Sequence, residues 1–230
     1  MPAHLTARER ARAELTAAIK DEARRQLGLR GADGLSLRAV ARELGMVSSA
    51  LYRYFPSRDD LLTALIIDAY NAVGAAVETA AERGSTPGER WRIACAALRT
   101  WAREHPHEYA LIYGSPVPGY RAPQDTVTPA SRVPTAFLGI VHDAWQAGTI
   151  EQAGPAPELT PRLREQLDTI ANHLAPGVPQ EVLARGVIAW TQVYGMLSFE
   201  LTGQFVGTFE PADDFFANAV EQLASFVGLS

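Results

Sequence analysis

Residues 48–53, Ser-Ser-Ala-Leu-Tyr-Arg, carry the residue types and spacing most open to chemistry. On a wheel of about 100° per residue, Val47, Leu51, Tyr54 and Phe55 gather on one side and are expected to pack inward. Ser49 and Arg53 point away from them. Ser48 and Tyr52 flank that outer line on one side and Ala50 on the other. A catalytic face would present a base, an acid or a metal ligand. This one presents small residues that allow close approach, hydroxyls that donate to phosphate oxygens, and an arginine able to reach a guanine edge or a phosphate. The chemistry it suits is reading a nucleic-acid groove, with no catalytic residue assigned.

The flanking elements are built to hold that face outward. Ser36 reads as the N-cap of a short helix over 37–44, with Leu37, Val40, Ala41 and Leu44 on its apolar side. Gly45 ends it as a left-handed cap, and a second short helix over 48–55 stops at Pro56. The stretch LSLRAVARELGMVSSALYRYF is therefore two short helices across a tight glycine turn, a helix-turn-helix, whose second helix enters the major groove. Arg38, Arg42 and Arg58 would surround the groove with positive charge; residues 36–58 hold four Arg against one Glu. Two ordinary core helices would show the same apolar spacing, and the clustered charge favours DNA.

Helical periodicity runs through the rest of the chain. A first helix is expected over 8–27, with Thr6 and Glu9 as a capping box and Leu15, Ile19, Ala23 and Leu27 as its stripe. Residues 28–34 read as a glycine-punctuated break. Ser57 with Asp60 opens a long helix to about 83, and Thr86, Pro87 and Glu89 start another to 105. A short helix from Pro106 ends at Gly114, and residues 115–134 read as a proline-rich loop. Further helices are expected over 134–148, 160–174, 179–203 and 211–228. No alternating strand pattern is found, so the fold class is all-α: an N-terminal three-helix DNA-binding domain over 1–60 and a helical domain over 61–230.

Composition narrows the function. The chain has 230 residues and a net charge of −5, with +3 on residues 1–60 and −8 on the remainder. A basic end on an acidic body suits a polyanionic partner at that end and argues against a non-specific architectural binder. No apolar run approaching the length of a membrane span and no leader pattern is read, so no membrane partner and a cytoplasmic location are expected. The single cysteine, Cys95, excludes an internal disulfide and reads as a buried small hydrophobe. His105, His107 and Glu108 stand around a proline without further ligands nearby in sequence, so no metal and no cofactor is expected. An enzyme built on the histidines and aromatics would need a nucleophile elbow, a phosphate loop or a carboxylate pair, and none is found.

GLSLRAVARELGMVSSALYRYFPSRDDLL, with the amphipathic helix before it, resembles the DNA-binding domain of TetR-family transcriptional regulators over residues 8–62. The resemblance implies a homodimeric regulator, usually a repressor, whose C-terminal domain binds a small effector. It implies that Arg38 contacts a base or phosphate and that Ser36 caps its helix against a phosphate. Ser48, Ser49 and Ala50 would form the groove-facing start of the recognition helix. Tyr52 and Tyr54 would touch the sugar-phosphate backbone, and Arg58 would meet a phosphate. The family often has glycine near position 50, where this chain has Ala50.

In the C-terminal body, AWTQVYGMLSFELTG resembles the TetR subgroup named for a Trp-His-Gly signature, with Tyr194 where that signature has histidine. The helix over 179–203 is apolar nearly all round. Gly186, Ala189, Val193 and Met196 form a small stripe, which together with Phe216, Ala219, Val220 and Leu223 suits a four-helix interface with a second copy, and equally the closing of the monomer's own core. Trp101, Tyr109, Tyr113, Trp145, Trp190 and Tyr194 supply apolar walls with polar tips, the lining an amphiphilic small effector would need, and also the lining of an ordinary core.

Overall fold

The computed structural model describes residues 6–151 and 157–229. The start of the N-terminal stretch read above for a leader lies outside the described residues, as does the middle of the segment before residue 160. Among the described residues there are ten α-helices and no strand: α1 Ala7–Arg30, α2 Leu37–Glu43, α3 Ser48–Leu51, α4 Arg58–Ala81, α5 Pro87–Glu104, α6 Pro106–Tyr113, α7 Val127–Gln146, α8 Pro161–Leu174, α9 Gln180–Leu201 and α10 Asp213–Val227.

The caps act where the sequence places them. The Thr6 hydroxyl accepts from the Glu9 amide, and the Glu9 carboxylate accepts from Thr6 N–H at 2.7 Å. Ser57 Oγ accepts from the Asp60 amide at 3.1 Å at the head of α4, and Thr86 Oγ1 from the Glu89 amide at 3.2 Å at the head of α5. Other boundaries differ. α1 continues through Gly28 to Arg30 before Gly31, at φ 68°, breaks it. α7 begins at Val127, seven residues before the expected start. Pro129 falls in its first turn, where no amide is needed, and Pro134 is accommodated within it. The proline-rich loop is correspondingly shorter.

Two compact units result, and neither is continuous in sequence. One comprises the residues up to Tyr70 with His105–Val127; the other comprises Asn71–Glu104 and the residues from Thr128 onward. α4 runs past the expected boundary at residue 60, and its first half closes the first unit's core. That core joins Ile19, Ala23 and Leu27 of α1, Leu37 and Val40 of α2, Leu51 of α3, and Leu61, Leu62 and Leu65 of α4. Leu111, Ile112, Val117 and Tyr120 pack against it, so α6 and the loop after it belong here as well. One guanidinium fastens three of these helices: Arg24 of α1 binds Asp68 of α4 at 2.7 Å and Glu108 of α6 at 3.0 Å.

By length and composition α4 could cross a membrane, which the sequence reading did not anticipate. Its leucines, Ile66, Val73 and Val77 are instead buried within the protein.

In the second unit Trp91 of α5 meets Phe137 of α7 edge-on at 5.0 Å. Cys95, one turn after Trp91 on α5, is fully buried, and burial pushes its thiol pKa upward, away from the reactive thiolate. α5, α9 and α10 are joined at Arg99, which makes two 2.8 Å bonds to Glu200 and one of 3.0 Å to Asp213, with its guanidinium over the Phe216 ring. Arg99 and Glu200 are largely buried, so removing one charge strands the other. Arg99→Met is expected to destabilise the second unit by about 3 kcal/mol in urea unfolding. The Arg99 hydrogen bond holds Asp213 below its ordinary pKa. That contribution is therefore complete above the unfolded carboxylate value and lost as pH falls through the lowered one. The parent should lose stability more steeply than Arg99→Met below about pH 4, and parallel pH profiles would contradict the assignment.

Candidate nucleic-acid interface

The turn between α2 and α3 is set by backbone. Gly45 has φ 65°, a conformation L-residues rarely adopt. The Gly45 amide donates to Arg42 O, and the Met46 amide to Ala41 O at 2.8 Å. Ser36 caps α2 through its Oγ, which accepts from the Ala39 amide at 3.4 Å. Behind it stands a relay the sequence reading missed. Gln26, 3% exposed, accepts from the Ser36 amide at 3.5 Å and donates to Glu22 at 2.9 Å. Arg25 in turn holds Glu22 ionised, below its ordinary pKa. A glutamine on the buried side of an otherwise apolar stripe was the available signal.

The recognition segment is shorter than periodicity predicts. α3 is regular only over Ser48–Leu51, and the chain then tightens, with Arg53 donating to Ala50 O and Tyr54 to Leu51 O. Leu51 is fully buried and Phe55 7% exposed, fixing the inner side. Ser49, Tyr52 and Arg53 are exposed, while Ser48, Ala50 and Tyr54 are half-buried. Arg38 and Arg42 are exposed on α2.

Two expectations are corrected here. Val47 does not pack inward. It caps α3 in an extended conformation, off the helical wheel, and is 70% exposed. Arg58 turns its donors to the protein: Nη2 bonds Ala32 O at 2.7 Å, Nε bonds Leu35 O at 3.2 Å, and Nη1 lies 3.7 Å from Asp59. It clamps the loop before α2 onto the head of α4, which the local sequence could not reveal because both carbonyls lie more than twenty residues away.

The second unit also rearranges the expected assignments. Gly186, Ala189 and Val193 are buried by their own chain, and a Cβ at 186 would meet Val141 and Leu138 of α7 at 3.3–3.4 Å. Phe216, Val220 and Leu223 are likewise mostly covered within the monomer, so these six pack chiefly in their own chain's core; Met196 and Ala219 remain half-buried. The candidate effector aromatics divide between the units. Tyr109 and Tyr113 lie in the first, with ring centroids 5.2 Å apart. Trp101, Trp145, Trp190 and Tyr194 lie in the second. Trp190 and Tyr194 meet edge-on at 5.6 Å, Trp101 is buried and Trp145 exposed. Among the described residues no group of three His, Cys, Asp or Glu is placed to hold a metal; His105 stands at the N-cap of α6, and the His107 ring lies against Gly28.

Comparison with known proteins places both units. Residues 19–65 match the family model for bacterial regulatory proteins of the tetR family, and residues 91–223 the tetracyclin repressor-like C-terminal domain. HTH-type transcriptional regulators of Mycobacterium tuberculosis and Mycobacterium bovis are 41% identical over 206 residues, covering 86% of this chain and 85% of theirs. The crystal structure of the regulatory protein SCO4313 is 36% identical with a TM-score of 0.78, over 96% of this chain and 100% of that one. A protein from Rhodococcus sp. RHA1 is 26% identical with a TM-score of 0.70, over 100% and 98%. The C-terminal match does not name the Trp-His-Gly subgroup.

The clamp is open to test. Arg58→Ala removes two charge-assisted hydrogen bonds and is expected to cost about 2 kcal/mol in urea unfolding, with faster hydrogen exchange of the α2 amides. Arg58→Lys should recover only part, since an ammonium lacks the planar fork. Unchanged stability in Arg58→Ala would remove the clamp from the account.

Proposed function

The chain belongs to the TetR family of bacterial transcriptional regulators, DNA-binding proteins and not enzymes, and from that premise we propose a homodimeric repressor that leaves a pseudo-palindromic operator when a small apolar effector binds its C-terminal unit. The observation that carries the reading is the two-sided recognition segment, with Leu51 buried beneath it and Ser49 and Arg53 exposed above. In the major groove Ser48, Ser49 and Ala50 allow close approach, Arg38 and Arg53 reach guanine edges or phosphates, and Ser36 and Tyr52 donate to the backbone. Exposed Val47 adds an apolar contact suited to a thymine methyl. Two such segments about 34–36 Å apart would occupy successive major grooves.

A second copy needs an apolar surface the monomer leaves uncovered. Ile188, Gly195 and Phe199 line one side of α9, and a Cβ at 195 would meet nothing within 4 Å. Ala219 and Phe226 follow the same logic on α10. This stripe replaces the one expected around Gly186. For the effector, the Trp190 indole nitrogen is buried with no acceptor among the described residues, a donor suited to a ligand oxygen beside the Tyr194 ring. Release requires the effector to bind the non-operator state more tightly than the operator-bound one.

Selection from a random DNA pool should enrich an inverted repeat. Arg38→Ala should weaken binding to the selected duplex by about 1–3 kcal/mol in fluorescence anisotropy, if it reads a base. A folded Arg38→Ala protein with parental affinity would remove Arg38 from the interface, and the absence of any enriched repeat would remove operator recognition. Phe199→Glu should convert the dimer to monomer in sedimentation velocity without loss of helicity; a dimer that persists would place the interface elsewhere.

A further inference from the structure

We propose that Arg12 of α1 is a phosphate-contacting residue of the DNA interface, aimed by the ring of Tyr54. The guanidinium carbon of Arg12 stands 5.4 Å from the centroid of that ring, at the end of the recognition segment. Tyr54 is half-buried and packs against the first unit's core, so its position is set by the same burial that sets Leu51. A guanidinium over an aromatic face keeps its in-plane N–H donors free to reach sideways to an anion. Tyr54 thereby acts as a platform that brings a charge from α1 to the flank of the groove-facing surface. The proposal rests on the DNA-binding reading above, and adds to it an element that reading does not use.

The distribution of charge along α1 supports the assignment. Three cations from Lys20 to Arg25 are neutralised: Lys20 by Asp68, Arg24 by Asp21, Asp68 and Glu108, and Arg25 by Glu22, while Arg30 ends the helix without a carboxylate partner among the described residues. In its N-terminal half Arg12 is exposed and has no carboxylate partner among the described residues. The nearest candidate along the helix, Glu9, is committed to the amide and hydroxyl of Thr6 at 2.7 and 2.8 Å. Glu14 lies about 200° around the helix from Arg12, and so does Arg10. What remains at position 12 is an uncompensated cation held in one orientation next to the residues expected to enter the groove. Its contact would be electrostatic and indifferent to base sequence.

The test measures dissociation constants for a mixed-sequence DNA duplex and for the duplex enriched by selection, over a series of salt concentrations. Arg12→Ala should weaken binding to both duplexes by a similar factor and reduce the slope of log K against log salt by about 0.9 per bound protomer. Arg12→Lys should keep most of the slope, and Arg10→Ala, an equal loss of net charge on another side of α1, should leave it unchanged. Both positions are exposed, and circular dichroism confirms the fold of each variant. A parental slope in Arg12→Ala overturns the proposal, as does an equal effect from Arg10→Ala, which would indicate net charge alone. A loss confined to the selected duplex also overturns it, because that result denotes base reading. If the parent shows no preference for any duplex, the DNA-recognition reading fails by itself, and the slope on mixed-sequence DNA still decides the role of Arg12.

Discussion

A helix of four residues cannot hold itself together. Nucleating a helical turn costs more than one turn's hydrogen bonds return, so α3 exists only because its surroundings impose it. The imposing contact is the burial of Leu51, with Phe55 beside it, in a core shared by α1, α2 and the first half of α4. Everything the protein presents to DNA follows from that burial. It aims Ser49 and Arg53 outward, places Tyr54 beneath Arg12, and requires the preceding turn to pass through Gly45. The polar relay from Glu22 through Gln26 to Ser36 and the Arg58 clamp stiffen the same arrangement from behind. The interface is a set of short segments whose order is borrowed from longer ones.

This explains why some features were legible in the sequence and others were not. Capping chemistry acts over three residues, so the starts of α1, α2, α4 and α5 could be read directly from Thr6, Ser36, Ser57 and Thr86. The all-α class and the two-sided recognition segment follow from periodicity. Features set by distant partners were hidden. Arg58 reads as a surface cation because its acceptors, Ala32 and Leu35, belong to another part of the chain. Val47 reads as a core residue only if the helix is assumed to include it. Pro129 and Pro134 suggest loop, yet a helix tolerates proline in its first turn and can absorb one inside. The stripe around Gly186 shows close helix approach, but periodicity does not say whether the approaching helix is the chain's own α7 or a second copy's α9.

Charge is used differently in the two units. In the second, Arg99 is enclosed by Glu200 and Asp213 and ties α5, α9 and α10 into one body. Its value lies in geometry more than in energy, since a buried ion pair gains little over a well-packed apolar substitute but fixes how helices register. In the first, Arg24 performs the same tying on α1, α4 and α6, while Arg38, Arg53 and Arg12 have no carboxylate partner among the described residues. Cations that tie helices together are neutralised, whereas these three are exposed; Arg42, also exposed, lies 3.5 Å from the Glu43 carboxylate.

The chain passes between its two units three times, after Tyr70, after Glu104 and after Val127. During synthesis the first helices emerge long before α6 and the segment carrying Tyr120, whose hydroxyl meets Thr63 at 2.9 Å. The DNA-reading unit therefore cannot complete its core until more than half of the polypeptide has left the ribosome. A fragment ending near residue 60 would expose the surface that Leu111, Ile112 and Val117 normally cover. Maturation of the first unit's core is in this way tied to translation of the chain past Tyr120.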